Sequence, residues 1–433
     1  MTGAPADERS GRRERFAWAM YDFANSGYTT VVLTTVFNAY FVAVVATGGG
    51  FAAGTGTFLW TLAIGVANAI VIVTAPVVGA IADGRAAKKP FLLACSIACV
   101  ATTALLATVG PGDVAQAMVL VAVSLVCFDT GENLVAAFLP ELVPQQQMGR
   151  MSGYGWGLGY LGGLFTLALC LGYISSAQAH GRHETEFVPV TLLITAAVFA
   201  LAALPTFLFL RERAIPNPPP ANTSYLRAGL RRVFDTIAHA RAHRDLFRFL
   251  AALVAFQAGV NTVIVLTAVY VHAEFGLDSR DLVLLVMVVN LAAAAGSLVA
   301  GFVQDRFGSV RTLAIMLVIW IAALLLALFA NDVLHVWIAA HIIGFAMGGS
   351  QSSGRALVGL FTPPARTAEF FGLWGLANRV ASIVGPLTYG VIGLATGGNH
   401  RVAIGSTIGF FVAGLALLLR VNEARGIAAA LAD

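Results

Sequence analysis

The sequence predicts an all-α membrane protein, with twelve transmembrane helices in two similar six-helix bundles and both termini in the cytoplasm. Three observations carry that expectation. Hydrophobic residues make up 58% of the 433 residues and charged residues only 11%, with a mean hydropathy of +0.82. Soluble domains are roughly 25% charged, and a body of this size could not cover its surface with so few charges. Apolar runs of about 20 residues, the length that crosses a bilayer, recur twelve times. They fall six and six about one polar break, and short motifs repeat across it.

In order, the runs cover roughly 21–46, 58–82, 90–109, 114–139, 153–176 and 187–210, then 246–272, 281–304, 312–330, 334–360, 367–396 and 402–419. Short loops marked by Gly or Pro join them. The first run follows "RSGRRERF" and is too long for a signal-peptide core. Counting Arg and Lys by loop puts 21 on the side of the N-terminus and three (Arg182, Arg280, Arg401) on the other. The basic side is the cytoplasmic one. Arg355 and Arg379 remain, and both fall inside runs.

The break divides the chain into an N-terminal bundle (1–210), a cytoplasmic linker (211–245) and a C-terminal bundle (246–433). It opens on the Pro-rich "RERAIPNPPPANT", which cannot continue a helix. Then Leu226, Leu230, Val233, Phe234 and Ile237 form an apolar stripe at helical spacing, with Arg227, Arg231 and Arg232 off it. That pattern predicts an amphipathic helix on the inner membrane face; a site for a partner is the other reading.

Across the break, "GAIADGRAAKK" (79–89) is echoed by "GFVQDRFGSVR" (301–311), with Gly79 and Asp83 each 222 residues before Gly301 and Asp305. Pro144 and Gly153 are spaced as Pro363 and Gly372 are, at an offset of 219. Two six-span halves repeated in one orientation describe a transporter built from parallel repeats. The two loops resemble the signature loop of the major facilitator superfamily, a Gly-x3-Asp-Arg-x-Gly pattern with trailing basic residues. The second copy matches at Gly301, Asp305, Arg306, Gly308 and Arg311. The first has Gly79, Asp83 and Gly84 where Arg is expected, with Arg85 one place late. "WAMYDFANSGY" (18–28), "FLPEL" (138–142) and "SGYGWGLGYLGG" (152–163) are similar to the vacuole-effluxer-like branch, related to fungal vacuolar amino-acid exporters. The resemblance implies the major facilitator fold, and implies that these loops gate the cytoplasmic side.

Polar residues inside the runs give an independent view. Runs 3, 6, 9 and 12 carry no charged, amide or imidazole side chain between their ends, which predicts that they lie outside and face lipid. The others hold candidates for a solute and proton pathway: Asn25, Asn38, Asp129, Glu132, Asn133, Gln257, Asn261, Gln351, Arg355, Asn378 and Arg379. Trp156 and Tyr160, one turn apart in run 5, join them as possible substrate contacts. Asp129, Glu132 and Asn133 share one sector of run 4. A charge at the bilayer centre costs roughly 2.5–3.5 kcal/mol on insertion scales, so these acids should meet Arg355 or Arg379. Three roles fit: proton carriage on Glu132 or Asp129, capture of a zwitterionic solute between acids and arginines, or a static ionic tie. Asp22, at the start of run 1, reads as a helix cap. Gly155, Gly159 and Gly163 lie on one face, where small residues let helices approach.

Other classes fit poorly. The net charge of +4 is scattered in short clusters, which argues against a nucleic-acid partner. The four cysteines lack metal-finger spacing, and neither a phosphate-binding loop nor His-Glu-x-x-His occurs, so no enzyme, cofactor or metal is expected. The expectation is a monomeric secondary transporter in a bacterial cytoplasmic membrane, exporting small polar metabolites such as amino acids. Uptake of a sugar or organic anion, and a sensor or scaffold with the same fold, are the alternatives.

Overall fold

The computed structural model describes residues 10–216, 223–238, 243–275, 279–396 and 400–432. Each of the twelve predicted runs coincides with a long helix. These are α1 (Arg12–Tyr28, continued by π-helical turns to Ala46), α2 (Ala53–Arg85), α3 (Lys88–Leu105), α4 (Val114–Ala136), α5 (Met148–Ala179), α6 (Glu184–Phe209), α7 (Arg244–Phe275), α8 (Ser279–Phe307), α9 (Ser309–Leu328), α10 (Val333–Leu360), α11 (Thr367–Ala395) and α12 (His400–Leu418). Among the described residues, ten helices meet the length and hydropathy needed to cross a membrane. An eleventh is reached by joining Ile404–Leu418 to Glu423–Ala432 across a 63° bend.

Local chemistry explains several boundaries. Asp332 caps α10 by accepting the His335 amide at 3.0 Å, and His183 and Glu186 form a capping box at α6. Pro144 and Pro363 are both extended, and each starts a 3-10 turn, Gln145–Gln147 or Pro364–Arg366, that leads into α5 or α11. The sequence echo at those prolines is therefore a repeated helix entry. In α1 the run "TTVVLTT" (29–35) winds as a π-helix. The hydroxyls of Thr34 and Thr35 bond carbonyls five residues back, as the wider turn requires. The start of α1 departs from expectation. "RRERF" is already helical, so Asp22 lies well inside α1 and caps nothing.

The helices pack as two lobes with the same internal arrangement. In the first, α1 lies on α5 and α6, and α4 on α2 and α3; in the second, α7 lies on α11 and α12, and α10 on α8 and α9. The principal contacts between lobes repeat as well, α2 with α11 and α5 with α8. Each lobe has an aromatic core: Trp18 donates to the Val135 carbonyl at 2.7 Å, and Trp320 stacks on Phe411 at 4.7 Å. Side chains such as Ile97, Leu201, Val318 and Val412, on the four helices expected outside, are exposed.

Matching clamps close the base of each lobe on the side that carries the linker. After α6, the Arg211 amide donates to Glu14 (2.9 Å) and Glu212 accepts the Lys89 amide (2.8 Å) at the start of α3. After α12, the Asn422 amide donates to Asp245 (3.0 Å), and Glu423 accepts the Ser309 and Val310 amides, both at 3.0 Å, at the start of α9.

Candidate functional site

The lobes meet through charged side chains at two depths. Towards the middle of the bundle, Gly348 and Gly349 of "GGSQSSG" (348–354) seat α10 against α8 and α9 of its own lobe, and Ser352 meets α5, its carbonyl accepting the Ser152 hydroxyl at 2.7 Å. Arg355 follows and is 2% exposed. Its Nη1 donates to Asp22 Oδ2 at 2.7 Å, its Nε to Ser152 Oγ at 3.1 Å and its Nη2 to the Ser152 carbonyl at 2.9 Å. Trp18 and Trp156 lie 4.8 and 5.4 Å from the guanidinium carbon. Gly155 makes the room: a Cβ there would stand 2.3 Å from Asp22 Oδ2 and 2.4 Å from Arg355 Nη2. The small-residue face of α5 thus admits an ion pair as well as a helix. Gly159 and Gly163 on that face meet Ser26 and Thr30 of α1.

Nearby, Arg379 of α11 reaches Asp129 of α4 at 3.3 Å and donates to Asn68 of α2 at 3.4 Å. Its side chain is 27% exposed. Asn25 of α1 donates to Glu132, which has no arginine partner among the contacts described. Asn133 packs against the Gly375 backbone of α11, where a Cβ would come within 2.3 Å of the amide. Opposite charges do meet across the lobes, but Glu132 is not the acid that meets them. Asp22, read from sequence as a cap, takes Arg355.

The group carries three carboxylates (Asp22, Asp129, Glu132) against two guanidiniums (Arg355, Arg379). Several polar atoms are buried without a hydrogen-bond partner: Asp22 Oδ1, Asp129 Oδ2, Asn133 Nδ2, Trp156 Nε1 and Gln257 Oε1. Buried polar atoms are normally satisfied. Asp129 Oδ2 faces Arg379, and Asp22 Oδ1, Asn133 Nδ2 and Trp156 Nε1, which adjoin the ionic cluster, can take a polar solute or water. The remaining candidates are less engaged. Trp156 and Tyr160 stack with ring centres 5.8 Å apart. Asn378 bonds back to the Trp374 carbonyl, and Asn38 to the Leu33 carbonyl at 3.4 Å. Asn261 and Gln351 are half-buried.

At the linker face the two signature loops act on opposite lobes. Asp83 of α2 accepts the Ala368 and Glu369 amides at 3.0 and 2.9 Å, capping α11. Asp305 of α8 accepts the Gly149 and Arg150 amides at 2.8 and 3.2 Å, capping α5, and pairs with Arg150 Nε at 2.8 Å. Gly79 and Gly301 allow these approaches, since a Cβ would fall 2.1 Å from the Ala368 carbonyl oxygen and 2.7 Å from that of Gly149. A carboxylate on a helix N-terminus meets both free amides and the positive end of the dipole. The loop arginines lie elsewhere: Arg85 stacks on Tyr225 at 4.2 Å, Arg306 lies 5.5 Å from Phe307, and Arg311 is exposed. Gly308 has φ +93°, open to glycine, and joins α8 to α9.

Sequence reasoning missed Lys88 and Glu141. Lys88 is fully buried, pairs with Glu141 and donates to Thr367 Oγ1 of the other lobe at 2.8 Å. Its signal was present in the loop's trailing "KK" and in "FLPEL", but a loop lysine reads as solvated until its neighbours are known.

Two six-helix lobes joined by repeated latches, with an ionic cluster between them, define a membrane transporter of the major facilitator class. The human organic anion transporter MFSD10 has this fold, with a TM-score of 0.71 at 16% identity over 96% of this chain and all of that one. The chain belongs to the vacuole effluxer Atg22-like family, whose family model matches residues 10–431. It is 30% identical to the uncharacterised MFS-type transporter YxiO of Bacillus subtilis, over 95% of each chain. Autophagy-related protein 22 of Yarrowia lipolytica is 23% identical over 71% of this chain, which spans 56% of that longer protein.

Proposed function

We propose that this transporter exports small polar metabolites, amino acids foremost, across a bacterial cytoplasmic membrane by alternating access, with proton movement on Glu132 coupled to transport. The N-terminal (1–210) and C-terminal (246–433) bundles rock about the α2–α11 and α5–α8 seams, and the linker and both termini face the cytoplasm. The observation that carries this reading is the unbalanced carboxylate. With Asp22 and Asp129 paired to Arg355 and Arg379, Glu132 is the third carboxylate against two guanidiniums. Asn25 donates to it, Arg355 acts on it only at longer range, and among the described contacts no arginine forms an ion pair with it. An ionised, unmatched carboxylate away from water is costly, so a proton or the ammonium of a solute completes it. Asn133 Nδ2 and Trp156 Nε1, both unpaired donors, suit the oxygens of the same solute. Arg355 has its donors committed to Asp22 and Ser152. This leaves Arg379 as the freer cation and weighs against a two-arginine anion site.

The test is counterflow of labelled amino acids in proteoliposomes with Glu132→Gln. Exchange should persist while accumulation driven by a pH gradient falls about tenfold or more, equivalent to about 1.4 kcal/mol. Loss of exchange and of folded protein together would make Glu132 a structural tie. Absence of counterflow from the unaltered chain, with every small metabolite offered, would favour a sensor.

A further inference from the structure

The linker helix, Tyr225–Ala238, presents three kinds of surface at four-residue spacing. Tyr225, Gly229 and Val233 face α2: Gly229 meets Ile81 and Val77, Val233 is buried, and Arg85 stacks on Tyr225. Next to that row run Leu226 (58% exposed), Leu230 (39%) and Phe234 (67%). Beyond them lie Arg227 and Arg231, both exposed. One edge of the apolar stripe is thus anchored to a membrane-spanning helix, and the other carries Arg227 and Arg231, followed by the exposed Asp235 that lies 3.9 Å from Arg231, a net charge of +1. The stripe continues the lipid-facing surface of α2, where Val66, Ile70 and Val73 are exposed.

We propose that this face docks on the anionic headgroup layer of the adjacent bilayer leaflet and that the docking steadies the latch between the lobes. Leucine and phenylalanine enter the acyl boundary while the arginines meet lipid phosphates, the division of labour of an interfacial helix. Lipid is favoured over a protein partner for two reasons. The stripe is continuous with a surface that must already be in lipid, and its flanking charge is complementary to anionic headgroups. The mechanical link is short. The helix grips α2 at Val77–Arg85, and the same turn of α2 offers Asp83 to the Ala368 and Glu369 amides of α11. A linker helix held at the membrane limits the tilt of that end of α2, and with it release of the cap.

Hydrogen–deuterium exchange on the full chain in nanodiscs tests both parts. One set of discs is phosphatidylcholine alone; the other contains about three parts in ten phosphatidylglycerol. Amides of 225–238 should exchange about tenfold more slowly in the anionic discs, and those of Ala368 and Glu369 should slow in parallel. Leu230→Asp/Phe234→Asp should speed exchange of 225–238 in both kinds of disc, while Arg227→Gln/Arg231→Gln should leave exchange in phosphatidylcholine unchanged and remove the further slowing in anionic discs. Equal exchange in the two lipids overturns the proposal. So does protection of 225–238 that appears only when a cytosolic extract is added, because that occupant is a protein. Slowing of 225–238 with no change at 368 and 369 overturns the link to the latch.

Discussion

Two arginines of the C-terminal lobe, Arg355 and Arg379, reach acids of the other lobe, and they are held in unlike ways. Arg355 is 2% exposed, lies near two tryptophan rings and places three nitrogens on oxygens at 2.7–3.1 Å. Arg379 is 27% exposed and touches its acid at 3.3 Å and an amide at 3.4 Å. The first guanidinium is packed as a core side chain is packed. The second is partly exposed, loosely aligned, and lies beside unpaired polar atoms. A machine that opens and closes needs both kinds of contact: one that fixes how the lobes register, and one weak enough for a solute to replace.

The largest effect expected from that contrast is at Arg355. Arg355→Met strands the buried Asp22 carboxylate, and breaking one side of such a pair typically costs about 3–5 kcal/mol. Thermal unfolding in detergent should show a steep loss, and Asp22→Asn/Arg355→Met should recover most of it. Arg379→Met should cost less on the same scale. If the two single variants unfold alike, the distinction between tight and loose pair fails.

Much of the fold was legible because it is written in repeats and in solvent preference. Offsets of 222 and 219 residues located the latch loops and the paired helix entries, and bare runs identified the outer helices. The pairing of charges was not legible. Asp22 and Arg355 are 333 residues apart. Asp129 and Glu132 lie within one turn of each other, so depth along a helix could not decide which acid Arg379 meets. Asp22 was misplaced because "RRERF" reads as a polar flank, whereas the helix begins inside it. Lys88 was invisible for the opposite reason. A loop lysine has an ordinary solvated reading, and only the arrival of Glu141 and Thr367 from elsewhere encloses it.

The intermediate effect falls on Arg379. Its partner Asp129 is 4% exposed, so losing Arg379 costs more than losing a surface pair, but its own partial exposure and long contacts keep that cost below the one at Arg355. Arg379→Gln, which keeps an amide donor for Asp129, should therefore fold better than Arg355→Met and still lose solute exchange, by about tenfold or more. Arg379→Lys keeps the charge but not the planar fork and should fall between. Exchange unchanged in Arg379→Gln would remove this side chain from the pathway and leave Glu132 and Asn133 to bind solute alone.

The smallest effect expected is at the latches, where the two copies can be set against each other. Asp83→Asn and Asp305→Asn each keep one acceptor for a helix amide and lose the charge, worth about 0.3–1 kcal/mol at a helix terminus. That is a shift of roughly two- to fivefold in the balance between latched and open lobes. Alkylation of a cysteine introduced at the linker face, compared in the two variants, reads that balance directly. Asp83 is 5% exposed and sits by buried Lys88, whereas Asp305 pairs with an Arg150 side chain that is 42% exposed. Salt should therefore erode the Asp305 latch and spare the Asp83 one, since screening acts on exposed charges first. The two variants should differ most at low ionic strength in how much Asp305→Asn adds, and raising salt should make the unaltered chain resemble Asp305→Asn. Equal salt dependence in both variants would mean that the copies are equivalent, and that the asymmetry of the transporter resides wholly in the two arginines between its lobes.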